Sequence, residues 1–502
     1  MPSPGVCMNI INARNGKNGY GTISNPVSFL NQDYQQLKQY CLSRRVRFID
    51  ETFPPDRNTI GQGLLKPSDL DRVKWLRPTK IVSDPSFIVD GVSRFDFGQG
   101  LVGNCWFLAS IGALTFQDNI LKQVVPPEQK FDADYSGLFH FRFWRFGKWV
   151  DVVIDDKLPT VDGRPIFVSS KEPTEFWPAL LEKAYAKVCG SYADMNAGTP
   201  AEALVDFTGG VHMCINLSDP PPNLWELMFR AGQSSSLMGC GTPNGATSEN
   251  TVQPNGLVKG HAYTVTGLKQ VNNWQLIHVV RLWNPWGHKE WNGDWSDKSS
   301  LWQTVSQEDR EECLSVGDDG EFWMSLEDFC KFYNDLDICC LCPDFLDGSS
   351  SCHWKTSIYD GRWVAGTTAG GQMTHTETFW TNPQYRIRIG KLLGECSQQQ
   401  GDKNLLVSLM QMPDKRNRRL VQNFNIGFMI FEYKAETGKF PASFFSRNRP
   451  VVKTNIFLDA REVMKFVMLE PGEYLIVPST FNPNETTSFI LTILSKAETH
   501  VQ

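Results

Sequence analysis

Apolar positions cluster along this chain in a few clear patterns. A weak helical pattern over Gln32 to Cys41 follows a polar leader. At Cys105 a continuous apolar run begins, Cys105-Trp106-Phe107-Leu108-Ala109-Ser110, which predicts a buried helix. Much further on, Gly260 to Gly267 alternates β-branched and aromatic residues between glycines, the signature of a strand. A second strand is predicted over Trp274 to Trp283, ending at Asn284-Pro285-Trp286-Gly287. Asn272-Asn273 lies between them as a hairpin turn. That turn would pair His261 directly with Asn284 at the open end. After Pro343 the pattern changes to short strands with turn signals up to about Ser495, which reads as an all-β sandwich.

The chemistry sits where these patterns break. Gln99-Gly100-Leu101-Val102-Gly103-Asn104 leads into Cys105, with Asn104 placed to cap the helix and the two glycines suited to a tight entry. A cysteine at a helix N-terminus meets a partial positive charge that favours thiolate. His261 beside Asn284 supplies a base whose second ring nitrogen is held by an amide oxygen. Singly, each residue has an ordinary structural explanation; the order Cys, His, Asn is that of papain-like proteases. The Cys–His spacing is slightly longer than the roughly 130–150 residues of papain-type enzymes. Val102 stands where their signature has a first cysteine, so no adjacent disulfide partner is present.

The segments Gln99–Ser110, Glu175–Ala186, Gly260–Gly267, Asn284–Gly287, Asp319–Ser325, Gly361–Trp363, Phe379–Tyr385 and Pro471–Thr480 together resemble the calpain family, calcium-dependent intracellular cysteine proteases. The resemblance runs from about residue 25 onward. It implies an α+β chain: a papain-like two-lobe cysteine protease core followed by an all-β C2-like sandwich. The expected divisions are a leader or anchor over 1–45, a first lobe with the cysteine helix over 46–210, a second lobe with the His/Asn hairpin over 211–344, and the sandwich over 345–502. Gly209-Gly210 is the expected hinge.

By that resemblance Cys105, His261 and Asn284 form the catalytic triad, and Gln99 helps the Cys105 N–H bind the oxyanion. Two calcium sites are expected in the core. One draws carboxylates from Asp96 and Glu175 and carbonyls from Val89 and Gly91. The other joins Glu290 and Asp297 to Gly317, Asp319 and Glu321. Trp286 resembles a wedge that separates the lobes without metal. The family's large members carry a penta-EF-hand after the sandwich, and this sequence stops at Gln502, so a monomer is expected. Protein substrates are implied, and an inhibitor protein or anionic phospholipid is an allowed partner. The 390–403 loop holds only Glu395 and Asp402 as acids, against an acidic lipid switch; the basic Lys415–Arg419 segment reads better as a solvated turn.

Composition narrows this a little. A net charge of −6 argues against a nucleic-acid partner. No signal peptide or apolar run of membrane-spanning length is visible, so the 13 cysteines read as reduced thiols in a cytoplasmic protein, with recruitment to membranes as a further expectation. Cys339-Cys340-Leu341-Cys342 has the wrong spacing for zinc. Two alternatives stay open: transglutaminase-like acyl transfer, whose third catalytic residue would be Asp, and a non-catalytic regulatory or binding member. Amine incorporation against peptide cleavage tests the first, and calcium-dependent casein cleavage the second.

Overall fold

The computed structural model describes residues 18–244, 251–341, 343–346, 354–390, 404–434, 438–454, 457, 459–496 and 499–501. The chain divides into two compact units, one of Thr22–Leu346 and one of Met1–Gly21 with Asp347–Gln502, whose described part is residues 18–21 and those from 354 onward. The break falls close to the expected 344/345 boundary. From Thr22 the expected leader is built into the first unit: Val27–Ser28 pairs in parallel with Val150 and Asp151.

In the first unit, α1 (Tyr34–Arg44) is capped by the Asp33 side chain and ends at Arg45 in the left-handed region. The Cys105 helix, α2 (Cys105–Leu114), begins at the cysteine and is buried from Trp106 to its end. A hairpin of β1 (Leu138–Arg145) and β2 (Lys148–Asp155) turns through Phe146 and Gly147, both at positive φ. Next, α3 (Trp177–Cys189) is buried along its whole length despite two lysines. It tolerates them because Lys183 pairs with Asp155 at 2.6 Å and Lys187 with Asp50 at 2.7 Å, all four side chains buried. Such pairs cost little only when they are fully matched, so losing either partner would strand a buried charge.

The helix α4 (Pro200–Thr208) leads to β3 (Val211–Asn216) through Gly209-Gly210. Gly209 takes a φ of +62 as the helix cap, and a Cβ on Gly210 would lie 2.2 Å from the Cys340 carbonyl oxygen. At the position expected to hinge, the two glycines answer a helix cap and a close approach.

A six-stranded antiparallel sheet follows. Its strands are β3, β4 (Ser236–Gly241), β5 (Ala262–Asn273), β6 (Gln275–Trp283), β7 (Glu321–Ser325) and β8 (Asp335–Cys340), in the order β7-β6-β5-β4-β8-β3. One face, with Tyr263, Val265, Val280, Leu282, Phe322 and Ile338, packs on α5 (Leu224–Gln233). Val271 and Val279 join Trp295, Trp302 and Trp323 in a second cluster.

The β5–β6 hairpin corrects the predicted register. It turns at Trp274, with φ 60, flanked by the pair Asn273–Gln275 rather than at Asn272-Asn273. A bulge at Thr266 then shifts the pairing by one residue, so Thr264 faces Trp283. His261 precedes β5 and Asn284 follows β6; neither belongs to a paired row.

The second unit holds two antiparallel sheets. One contains β9 (Lys355–Trp363), β11 (Leu405–Met412), β14 (Glu462–Val467) and β16 (Thr487–Ser495), ordered β9-β16-β11-β14. The other contains β10 (Tyr385–Ile389), β12 (Ile426–Glu432), β13 (Val452–Lys453), β15 (Gly472–Thr480) and β17 (Thr499–Val501), ordered β13-β12-β15-β10-β17. Residues of both meet in one core, with Trp363, Val407, Leu409 and Leu491 against Ile387, Phe428, Ile430 and Ile476. The 391–403 part of the loop assessed for acidity lies outside the described residues.

None of the nine cysteines among the described residues is in a disulfide, and Cys339 and Cys340 are buried in β8; Cys342 lies outside them. Among the described residues no helix is long and apolar enough to cross a membrane.

Candidate active site

The approach to Cys105 is set by close packing. A Cβ on Gly100 would sit 2.3 Å from the Phe167 main chain, and one on Gly103 would sit 2.6 Å from Asn196 Oδ1. Neither glycine has positive φ, so their role is to let the loop lie against its neighbours, a correction to the expectation of unusual angles. Leu101 N–H donates to the Ile166 carbonyl at 3.0 Å, and Gly103 N–H to Asn196 Oδ1 at 3.1 Å. Asn104 occupies the cap position without a side-chain capping bond; its Nδ2 donates instead to buried Glu182 at 2.7 Å. From the other side, Thr264 Oγ1 donates to the Ala109 carbonyl of α2 at 2.5 Å.

His261 is held at the mouth of β5. Its main-chain N–H donates to Thr242 Oγ1 at 3.0 Å, and its Nε2 lies 2.7 Å from Asn284 Oδ1. Asn284 Nδ2 donates to the carbonyls of His288 and Lys289 at 2.8 and 3.0 Å, while Oδ1 also accepts from the Trp286 N–H at 3.0 Å. Two carbonyls fix which end of the amide is nitrogen, so Oδ1 must be the acceptor for the ring. The proton of neutral His261 therefore sits on Nε2, and Nδ1 carries a lone pair. That Nδ1 is buried and has no hydrogen-bond partner. This is a base with its proton parked on the far side.

No hydrogen bond joins Nδ1 to Cys105. Burial raises the Cys105 thiol above its ordinary value, against the N–H groups of Ala262, Trp106 and Cys105 itself. Burial also depresses His261 to about 4, with the Asn284 bond opposing it. The helix N-terminus pulls the thiol downward as expected, but desolvation outweighs it, so this resting pair is neutral thiol and neutral imidazole. Trp286 lies between the two halves. Its ring centroid is 4.7 Å from that of His261, and its Nε1–H donates to Gln99 Oε1 at 2.8 Å. Gln99 Nε2 donates to the Val102 carbonyl at 2.8 Å. The expected oxyanion donor is thus spent on its own loop.

The acidic clusters differ in their fit to a divalent cation. In the first, Glu175 accepts from Val89 N–H and the Ser170 hydroxyl, at 2.8 and 2.7 Å, and Asp96 accepts from Ser93 N–H. Burial raises both carboxyls, and Asp96 adds to the rise at Glu175. Gly91 has a φ of +92 and space around it.

In the second cluster, burial and then Glu290 push Asp297 up to about 7, and its Oδ2 is buried without a partner. Glu290 is likewise raised by burial, and it accepts from Gly320 N–H at 2.8 Å. Glu290, Asp297 and Gly317 line a cavity of about 500 Å³. An orphaned carboxylate oxygen among like charges is a donor set short of a cation, so this cluster fits one.

Glu321, expected in the second cluster, has a cation partner in this structure. Its carboxylate is committed to Arg94, at 2.6 and 2.7 Å, with Arg281 at 3.4 Å. Sequence reading missed Arg94, although a lone cation two residues before Asp96 was a visible signal. Among the described residues no three His, Cys, Asp or Glu side chains are gathered as a ready metal cluster.

Comparison with known proteins agrees over nearly the whole length. Residues 48–340 match the family described as "Calpain family cysteine protease", and 359–494 match "Calpain large subunit, domain III". The chain is similar to the calpain-1 catalytic subunit of Macaca fascicularis, 42% identical over 506 residues, 98% of this chain and 71% of that one. Against the human calpain-1 catalytic subunit the figures are 42%, 98% and 71%. For the human calpain-2 catalytic subunit they are 40% over 508 residues, 99% and 73%.

Proposed function

Since the chain belongs to the calpain family of cysteine proteases, we propose that Cys105, His261 and Asn284 carry its peptide-bond hydrolysis, with Gln99 and the Cys105 N–H as oxyanion donors. The protein is a calcium-dependent cysteine endopeptidase acting on protein substrates. The family match speaks against the acyl-transferase alternative, and the similarity to calpain catalytic subunits favours an active protease over a non-catalytic member.

One observation carries the assignment of roles: the buried Nδ1 lone pair of His261, left without a partner because Asn284 holds Nε2–H. Brought against Cys105, Nδ1 takes the thiol proton and an imidazolium–thiolate pair results. The thiolate attacks the scissile carbonyl. The Cys105 N–H at the start of α2, with the Gln99 amide once it turns from Val102, meets the charge that develops on oxygen. His261 returns its proton to the leaving amine, and water then hydrolyses the thioester with His261 again as base. Asn284 adds no charge of its own. The resting neutral pair and the Trp286–Gln99 bond support a protein that must rearrange before it cuts.

For calcium, Asp96, Glu175, Val89 and Gly91 would form one site. Glu290, Asp297, Gly317 and Asp319 hold the other, with Glu321 contributing no side-chain oxygen while Arg94 holds it. Bound calcium would neutralise carboxylates that now repel one another. The second unit is read as the C2-like sandwich, and residues 46–210 and 211–344 as the two lobes of a papain-like core; the compartment is read as cytoplasm.

The test is hydrolysis of a fluorogenic peptide with calcium and with chelator, followed by an epoxide inhibitor and peptide mapping. Activity only with calcium, a label on Cys105, and none of either in Cys105→Ala are expected. A label on another cysteine would overturn the assignment.

A further inference from the structure

Beneath the nucleophile lies a carboxyl that the mechanism above does not use. Glu182, on α3, is 1% exposed. Its Oε2 accepts from the Val168 N–H at 3.0 Å, and its Oε1 lies 2.7 Å from the amide of Asn104, the residue before Cys105. Among the described residues no cation pairs with it. Asn104 is itself fully buried, and its Oδ1 has no partner. Val168 follows Phe167, whose main chain abuts Gly100, and Ile166, whose carbonyl holds Leu101. The carboxyl therefore bridges the helix start to the segment against which Gly100 and Leu101 rest.

We propose that Glu182 is a positioning residue for the nucleophile, fixing through Asn104 and Val168 the turn that carries the Cys105 thiol and its oxyanion-binding N–H. The inference rests on Cys105 being the nucleophile.

The bridge is built for a neutral acid. A buried carboxylate without a cation is costly, and burial pushes Glu182 up to about 8 against its two hydrogen bonds. Val168 N–H needs an acceptor, so the acid proton belongs on Oε1, facing Asn104. The unpartnered Oδ1 is the acceptor such a proton requires, and a turn of the Asn104 amide brings it there. Either orientation leaves one amide atom of Asn104 spare, available when the loop rearranges.

The titratable neighbours are few. Tyr192 is driven up by burial and then by Glu182 and Asp155; beyond it stands the Lys183–Asp155 pair, and Cys105 adjoins Asn104. A negative charge at Glu182 would oppose a thiolate at Cys105 and remove the O–H donor. Neutral glutamine keeps both bonds: its oxygen takes Val168 N–H and its NH₂ donates to Asn104 Oδ1.

The experiment uses the full chain with saturating calcium. It measures kcat and KM on a fluorogenic peptide and the rate of Cys105 alkylation by iodoacetamide against pH, with peptide mapping. Glu182→Ala is expected to cut kcat on the order of a hundredfold, the cost of about 1 Å of misplacement, with KM little changed. Glu182→Gln is expected to restore most of kcat. Its alkylation curve should lie at lower pH than wild type, because no charge develops beneath the thiol near pH 8. Should Glu182→Ala not fold, the Gln variant alone decides. An alkylation profile in Glu182→Gln that superimposes on wild type, or a Gln variant as slow as Ala, would overturn the inference. Labelling of a cysteine other than Cys105 would instead overturn the nucleophile assignment on which it stands.

Discussion

Replacing Asn284 by alanine tests the tautomer argument directly. The side chain makes four hydrogen bonds: to the His261 ring, the Trp286 N–H and the carbonyls of His288 and Lys289. His288 and Lys289 are exposed, so water can replace Asn284 there. The His261 ring is 1% exposed, so its Nε2–H would be stranded. An unsatisfied buried donor costs about 1–3 kcal/mol, and that range is the expected loss of stability. The loss of activity has another origin. Without Oδ1 the imidazole proton is free to move to Nδ1, where it abolishes the lone pair that accepts the thiol proton. General-base catalysis is worth roughly 10²–10⁴-fold, so kcat should fall by at least the lower figure. KM should hold, because Asn284 is buried behind the histidine. Asn284→Asp keeps the acceptor but sets an oxygen against two carbonyls, and its charge favours the imidazolium. It should therefore recover part of kcat and move the acid limb to higher pH. Steady-state kinetics on a fluorogenic peptide at saturating calcium, with thermal unfolding alongside, reads both effects. Wild-type kcat in Asn284→Ala, or a loss expressed wholly in KM, would refute the reasoning.

Two further outcomes follow from the resting contacts. Trp286→Ala removes the bond that occupies Gln99 Oε1, so half-maximal activity should need less calcium; an unchanged calcium titration would count against Trp286 as a restraint. Asp297 is raised to about 7, above its unfolded value, so its neutral form favours the fold. That stability is present below the ordinary carboxylate value of about 4 and is lost as pH rises through about 7. Asp297→Asn should raise the calcium-free Tm at pH 8 and leave it near wild type at pH 4. It should also weaken calcium binding in calorimetry, whereas a lower Tm at pH 8 would contradict the charge-repulsion account.

The cysteine helix was legible because its signal is local: an apolar run opening at Cys105 between small residues, and the helix starts there. The His261–Asn284 contact was legible as a destination but not as a route. Turn rules favour Asn272-Asn273, and nothing in them selects a tryptophan at positive φ, 98% exposed, as the apex. The bulge at Thr266 was equally invisible, since a bulge is decided by what each half of a strand packs against. Gly100 and Gly103 were recognised for the wrong property, because backbone proximity to Phe167 and Asn196 is a tertiary fact. Glu321 and Gln99 were assigned chemistry that needs free side chains, and only the fold reveals Arg94 and Trp286 as their partners.

The bulge at Thr266 acts as a phase correction in the hairpin. Before it, Tyr263 and Val265 point to the core under α5; after it, Leu268 takes that side while Val271 turns to the tryptophan cluster. Because side chains alternate with period two, an unbroken frame would put Leu268 and Val271 each on the face opposite to the one it takes. Thr266 absorbs the odd residue. A single insertion or deletion anywhere along Ala262–Asn273 would put one half out of phase, whereas a change at Trp274 itself alters only the tip. The length of this strand is thus tuned in whole residues, and the setting of His261 against the nucleophile helix is carried by a counting rule as much as by any contact.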